Sequence, residues 1–221
     1  MATAAAPGFF RSTIGKKVVM AASGAILFGF VIGHMLGNLQ VYLGPAQLNA
    51  YAAKLQHLGP LLWGMRAVLL AAVTLHIASA WSLTRASRAA RPVGYREHEN
   101  RESTYASRTM RWGGVILLLF IVYHLMHFTF GNAHPDFVHG DVFHNFVVGF
   151  QSVWVSAFYI AAMVALGFHL YHGVWSMLQT LGLSHPRYDN LRHTFATLVA
   201  VVVVAGNVSF PLAVLTGLIH E

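Results

Sequence analysis

The sequence predicts an all-α integral membrane protein with five transmembrane helices, and three observations carry that prediction. Of its 221 residues, 56% are hydrophobic and only 10% are charged, with a mean hydropathy of +0.57, whereas soluble domains carry roughly 25% charged residues. The apolar residues gather into five runs, each long enough to cross a hydrocarbon core about 30 Å thick at about 1.5 Å per residue. The Lys and Arg residues, in turn, concentrate in alternate loops. The chain is read as one membrane domain over residues 1–221.

Spans are predicted at about 17–39, 61–84, 111–131, 152–179 and 193–219. Between the first two, "GPAQLNAYAAKLQHLGP" begins with Pro45, suited to a first helical position, and closes at Gly59-Pro60. A short interfacial helix is expected there. Asn207 and Pro211 interrupt the fifth run and predict a kink. The segment 132–151, with "NAHPDFVHGDVFHN", reads as an ordinary solvated loop. An alternative reading has its His134, Asp136, His139, Asp141 and His144 passing protons to the surface. The opening "MATAAAPGFFRSTIGKK" puts its basic residues after small and aromatic ones, so no cleaved signal peptide is expected. The absence of cysteine excludes disulfides, iron–sulfur clusters held by this chain and thioether-linked haem.

Charge sets the expected orientation. Arg11, Lys16 and Lys17 precede the first span, Arg85, Arg88, Arg91, Arg96, Arg101, Arg108 and Arg111 lie between the second and third, and Arg187 and Arg192 lie between the fourth and fifth. Twelve of the fourteen basic residues thus fall on one side, leaving Lys54 and Arg66 on the other. By the positive-inside rule the N-terminus is cytoplasmic and the C-terminus outside.

Imidazoles inside apolar spans are costly and mark function. His34 lies seventeen residues beyond Lys17 and His124 thirteen beyond Arg111, about 25 Å and 20 Å from the inner boundary. His76 lies nine residues before Arg85 and His169 ten before Gln179, about 14 Å and 15 Å from it. Four spans therefore each carry a histidine, in an outer layer (His34, His124) and an inner layer (His76, His169). Two haems b, each held by imidazoles from two helices, suit that arrangement, with the first four spans forming a bundle around them. His127 and His172 repeat the H-x-x-H spacing on nearly the same faces, and depth alone leaves His127 as a rival of His124. Whichever two do not ligate are read as contacts to haem propionates or as packing residues. Gly29 and Gly33 near His34, and Ala80 and Gly173 one turn past His76 and His169, suit a flat macrocycle or close helix packing equally.

The stretches "RSTIGKKVVMAASG", "VIGHMLGNL", "FIVYHLMH" and "GFHLYHGVWSM" resemble the single-chain, five-helix dihaem cytochrome b anchor of bacterial succinate dehydrogenases and fumarate reductases. The likeness runs over essentially the whole chain, and the last stretch is the most specific. It implies axial ligands His34, His76, His124 and His169, the first histidine of each H-x-x-H, paired first helix with third and second with fourth. It further implies a bacterial inner membrane, an iron–sulfur subunit and an FAD flavoprotein subunit on the cytoplasmic face, and a quinone such as menaquinone as electron partner. One departure is Ala80, where relatives often carry glycine. The chain has no flavin fingerprint or cluster cysteines, so the dicarboxylate site lies elsewhere, and nothing suggests nucleic acid. The Arg-rich face is read as a docking surface that also meets lipid headgroups.

A quinone needs hydrogen-bond donors and a proton-exchanging group. On the outer side Asn38, Gln40, Lys54, Gln56, His57 and Arg66 are candidates, and Gln40, His57 and Arg66 are preferred; an inner site near Arg11, Ser12 or Ser23 is the alternative. Two other classes are alternatives. Cytochromes b of nitrate reductases, formate dehydrogenases or hydrogenases tend to put two ligands on one span. A non-haem histidine-rich metalloprotein would show clustered histidine boxes near the cytoplasmic surface or intramembrane carboxylates, and all seven acidic residues here lie outside the spans.

Overall fold

A computed structural model describes residues 8–90, 93 and 103–221. Arg91, Arg96 and Arg101 lie outside the described residues. Seven α-helices follow in order: α1 (Thr13–Asn38), α2 (Pro45–Gln56), α3 (Pro60–Ala89), α4 (Tyr105–Phe128), α5 (Val142–Gln151), α6 (Val153–Thr180) and α7 (Asp189–Leu215). Among the described residues there is no strand, and five helices (α1, α3, α4, α6, α7) are long and apolar enough to cross a membrane. The protein is an all-helical, multi-pass membrane protein.

Local chemistry sets the helix ends. Ser12 caps α1, its Oγ accepting from Gly15 N at 3.0 Å, and Thr104 caps α4 by accepting from Ser107 N at 3.2 Å. Each cap satisfies an N–H that the helix leaves without a partner. Pro45 and Pro60 open α2 and α3, and the glycines before them, Gly44 (φ 91°) and Gly59 (φ 51°), take left-handed turns. The short helix expected between the first two spans is therefore α2. Most spanning helices extend beyond the apolar runs read from sequence; α4, for example, starts at Tyr105 and takes Arg108 and Arg111 into its first turns. Hydrogen bonding carries a helix past the edge of the oil, where composition no longer marks it. α7 runs through Pro211 as one helix, and Asn207 Nδ2 donates to Val203 O at 2.8 Å one turn ahead of it.

Two expectations are corrected. Residues 142–151 are not a solvated loop but α5, with Phe143, Asn145, Phe146, Val147, Gly149 and Phe150 buried. The apolar residues recur at the i, i+3, i+4 and i+7 spacing of a helical face. Asp141 caps this helix, its Oδ1 accepting from His144 N (3.0 Å) and Asn49 Nδ2 (2.9 Å). Arg192, assigned to a loop, is instead 8% exposed in the first turn of α7, ion-paired with Asp189.

Helix packing leaves an open seam. α1 packs along α3, α4 along α6, and α6 along α7, while α1 also touches α6 and α7. Neither α1 with α4 nor α3 with α6 packs closely among the described residues. The far end, opposite the Arg-rich loops, is closed by α2 against α5, and by α5 against α6 and α7. His144 there is paired with Glu221 and, at 3.2 Å, with Asp136. Burial lowers the His144 pKa, but Glu221 and then Asp136 outweigh it and raise the pKa above its ordinary value. The hydrogen bonds from His144 N and Asn49, by contrast, hold the Asp141 carboxyl below its ordinary value. A carboxyl depressed in this way stabilises the fold above its unfolded pKa, and that contribution is lost as pH falls through the folded value. Asp141→Ala should therefore cost about 1 kcal/mol at neutral pH, read as a lowered thermal midpoint in detergent, with the gap from wild type closing at acid pH.

Candidate functional site

Four spanning helices each carry a histidine toward the seam. The His34 and His124 ring centres are 5.8 Å apart, and those of His76 and His169 are 6.2 Å apart. Each pair joins helices whose backbones do not pack, α1 with α4 and α3 with α6. His34 is exposed and His76, His124 and His169 are half-buried, so protein does not close over the facing rings.

The registers of the two helix pairs give the height between layers. A Cβ on Gly24 of α1 would stand 3.3 Å from His76 Cε1, so these residues are level, and His34 is ten residues further on. On the other side His124 meets Tyr159 of α6, and His169 lies ten residues from Tyr159. Both routes put the layers about 15 Å apart. The depths counted from sequence give roughly 5–11 Å. Lys17, Arg85, Arg111 and Gln179 do not stand at a common height, so counting from them compresses the gap.

The back of each ring is held differently. His76 Nδ1 lies 3.1 Å from Met20 O and 3.5 Å from Ser23 Oγ. A carbonyl can only accept, so Nδ1 carries the proton and Nε2 keeps its lone pair for the seam. Gly24 is what lets α1 come close enough to do this; a side chain there would press on the imidazole. Asn38 Nδ2 donates to His34 Nε2 at 3.2 Å, which puts the His34 proton on Nδ1. His124 Nδ1 meets Tyr159 Oη at 3.3 Å, and His169 Nδ1 has no hydrogen-bond partner among the described residues. Phe30 and Phe120, one turn before His34 and His124, stack on those rings at 5.3 Å and 5.7 Å. Met20, Gly24 and Tyr159 were missed in the sequence, and Ser23 was read there only as a candidate for an inner quinone site; only Gly24 carried a legible signal, as a glycine on the first span ten residues before His34.

The second histidines point elsewhere. His127 is 0% exposed, with Nδ1 3.1 Å from Tyr159 Oη and its ring stacked on His134 at 5.0 Å. Gly149 of α5 admits it, since a Cβ there would stand 3.0 Å from His127 Cε1. Within the first H-x-x-H it is thus His124, not His127, that faces His34. His172 lies beside Trp175, ring centres 5.7 Å apart. Gly29, Gly33 and Gly173 have nothing within 4 Å of a Cβ position, so close helix packing does not require them.

The preferred quinone candidates each have separate surroundings. Gln40 Oε1 accepts from Gln47 Nε2 at 3.1 Å, His57 is exposed just beyond α2, and the Arg66 guanidinium lies 4.8 Å over the Trp63 ring. No hydrogen bond joins the three.

A first-row metal binds imidazole nitrogen at about 2 Å, which with about 1.1 Å from nitrogen to ring centre sets two axial rings roughly 6.2 Å apart. Both pairs fit that distance. Among the described residues no three His, Cys, Asp or Glu side chains converge as a bare metal site requires. Two imidazoles on opposite sides of an open seam suit a metal whose remaining donors come from a flat macrocycle. In 15N NMR of selectively labelled protein, His76 should show a protonated Nδ1 and an unprotonated Nε2.

A family model described as succinate dehydrogenase/fumarate reductase transmembrane subunit matches residues 87–208, more than half of the chain. The match takes in α4, α5, α6 and most of α7, with His124 and His169. No curated protein and no solved structure matches the chain. An all-helical chain with five spanning helices and this match belongs to the succinate dehydrogenase/fumarate reductase transmembrane subunit family, the membrane anchors of that oxidoreductase complex.

Proposed function

We propose that the chain is the dihaem, quinone-reactive anchor of a succinate:quinone oxidoreductase, with His34 and His124 as axial ligands of an outer haem b and His76 and His169 of an inner one. The observation that carries this reading is the pair of facing imidazoles at axial-ligand spacing, repeated about 15 Å apart along the same seam. Bound there, the two haems would pass electrons singly between subunits on the Arg-rich face and a quinone. His76 would ligate through Nε2 while Met20 O holds its Nδ1–H, which fixes the ring and strengthens the nitrogen as a donor. At His34 the iron would take the place of the Asn38 amide on Nε2. His127 and His172 would stay outside the coordination sphere.

The Arg-rich end would face the cytoplasm of a bacterium, across the inner membrane from the α2–α5 end. Iron–sulfur and flavoprotein subunits would dock there, the latter carrying FAD and the dicarboxylate site. The quinone, menaquinone for example, would react at the outer end, where Gln40, His57 and Arg66 supply polar groups. Electrons crossing the bilayer on that route would couple to the membrane potential, at about 2.3 kcal/mol per charge per 100 mV.

Dithionite-reduced minus oxidised spectra with pyridine haemochrome quantitation should give two haems b per chain. His76→Ala or His169→Ala should abolish one low-spin haem signal, and His34→Ala or His124→Ala the other. A colourless preparation from haem-replete cells, or four variants that all keep both haems, would overturn the reading. Because the chain contains no cysteine, single cysteines can report topology. A membrane-impermeant maleimide added to intact cells should label Ala133→Cys and leave Ser184→Cys unlabelled.

A further inference from the structure

We propose that Tyr159 is a positioning residue for the outer haem, its hydroxyl forming a directed hydrogen-bond relay from His124 to His127. This rests on the haem reading above. The relay is built from three atoms: Tyr159 Oη lies 3.3 Å from His124 Nδ1 and 3.1 Å from His127 Nδ1. A neutral imidazole that ligates through Nε2 must carry its proton on Nδ1. His124 Nδ1–H therefore donates to the Tyr159 oxygen. The single hydroxyl proton is then free for the other acceptor in reach, His127 Nδ1, which leaves the His127 proton on Nε2. Ligation at one end thus fixes both tautomers and the direction of the chain.

The surroundings hold the relay still. Tyr159 is 5% exposed, with Phe120 and Phe150 each 5.0 Å from its ring centre, edge to face. His127 is wholly buried, and its Nε2 has no hydrogen-bond partner among the described residues. The ring is not held by that nitrogen, so Tyr159 Oη is its one polar anchor among the described residues. The inner pair is built otherwise: His76 donates to the backbone carbonyl of Met20, and His169 Nδ1 has no partner among the described residues. The two layers thus differ in the group behind the ligand. A hydroxyl that accepts from Nδ1–H makes His124 a stronger donor, favours the ferric state and lowers the reduction potential of the outer site. Donation onward to His127 leaves the oxygen a better acceptor.

The test is a spectroelectrochemical titration of the assembled complex in membranes, with low-temperature EPR of the two low-spin signals. Tyr159→Phe removes only the hydroxyl and should leave two haems per chain. The midpoint potential of the His34/His124 site should move upward, and that of the His76/His169 site should stay. Tyr123→Phe, which removes the hydroxyl of a ring that stacks on His127 at 5.4 Å, should move neither. Loss of the outer haem alone in Tyr159→Phe would also support the role, since the ring's packing is kept. An unchanged outer potential with both haems present would overturn the relay and leave the haem assignment standing. A wild-type complex with no haem would instead remove the assignment on which the relay rests.

Discussion

The need of an imidazole in an apolar span for hydrogen-bond partners is the constraint that shapes the packing around His76 and His124, while His127 Nε2 and His169 Nδ1 have no partner among the described residues. A polar ring left unpaired in hydrocarbon costs several kcal/mol. The protein meets this from behind at His76, where α1 brings the Met20 carbonyl and the Gly24 backbone against the ring. At His124 it does so from the side, through the Tyr159 hydroxyl. At these two rings the Nε2 atoms remain, and those are the nitrogens a metal would use. At His76 and His124 stability and proposed function thus draw on opposite edges of the ring, whereas at His34 both would use Nε2.

The constraint also explains why the helices pair as they do. α1 must lie tightly along α3, because the partner of His76 is a backbone atom of α1. α4 must lie along α6, because the partner of His124 and His127 is a side chain of α6. Neither contact is available if the pairs exchange members. The helices that carry facing histidines, α1 with α4 and α3 with α6, then stand apart, as the proposed haems would require. Ten residues separate the two contacts on each side, so both helix pairs set the same layer spacing.

The far end shows a second use of the same economy. α5 is too short to span, yet it buries four aromatic or aliphatic side chains between α2, α4, α6 and α7. Its Gly149 gives His127 and Phe128 room to lie against it. Asp141 ties it to Asn49 of α2, and the His144 pairings tie it to the loop before it and to Glu221. α5 thereby covers His127 and Phe128 at this end of the molecule.

The five spans, the sidedness of charge and the two histidine layers are legible in the chain without its fold, because hydropathy, helical rise and the cost of a buried imidazole are all local quantities. It left His124 and His127 as rivals, since residues three apart share a helix face and differ only in what a neighbouring helix presents. Packing decided that choice: His127 turns to Tyr159 and Gly149, and His124 to His34. α5 was legible in principle from the spacing of Phe143, Phe146, Val147 and Phe150, but the polar residues around it masked the face. The partners of the rings, Met20, Ser23 and Tyr159, were beyond reach of the sequence. Such contacts join residues 56, 53 and 35 positions apart, and only the mutual register of two helices, a property of side-chain packing, brings them within hydrogen-bond distance.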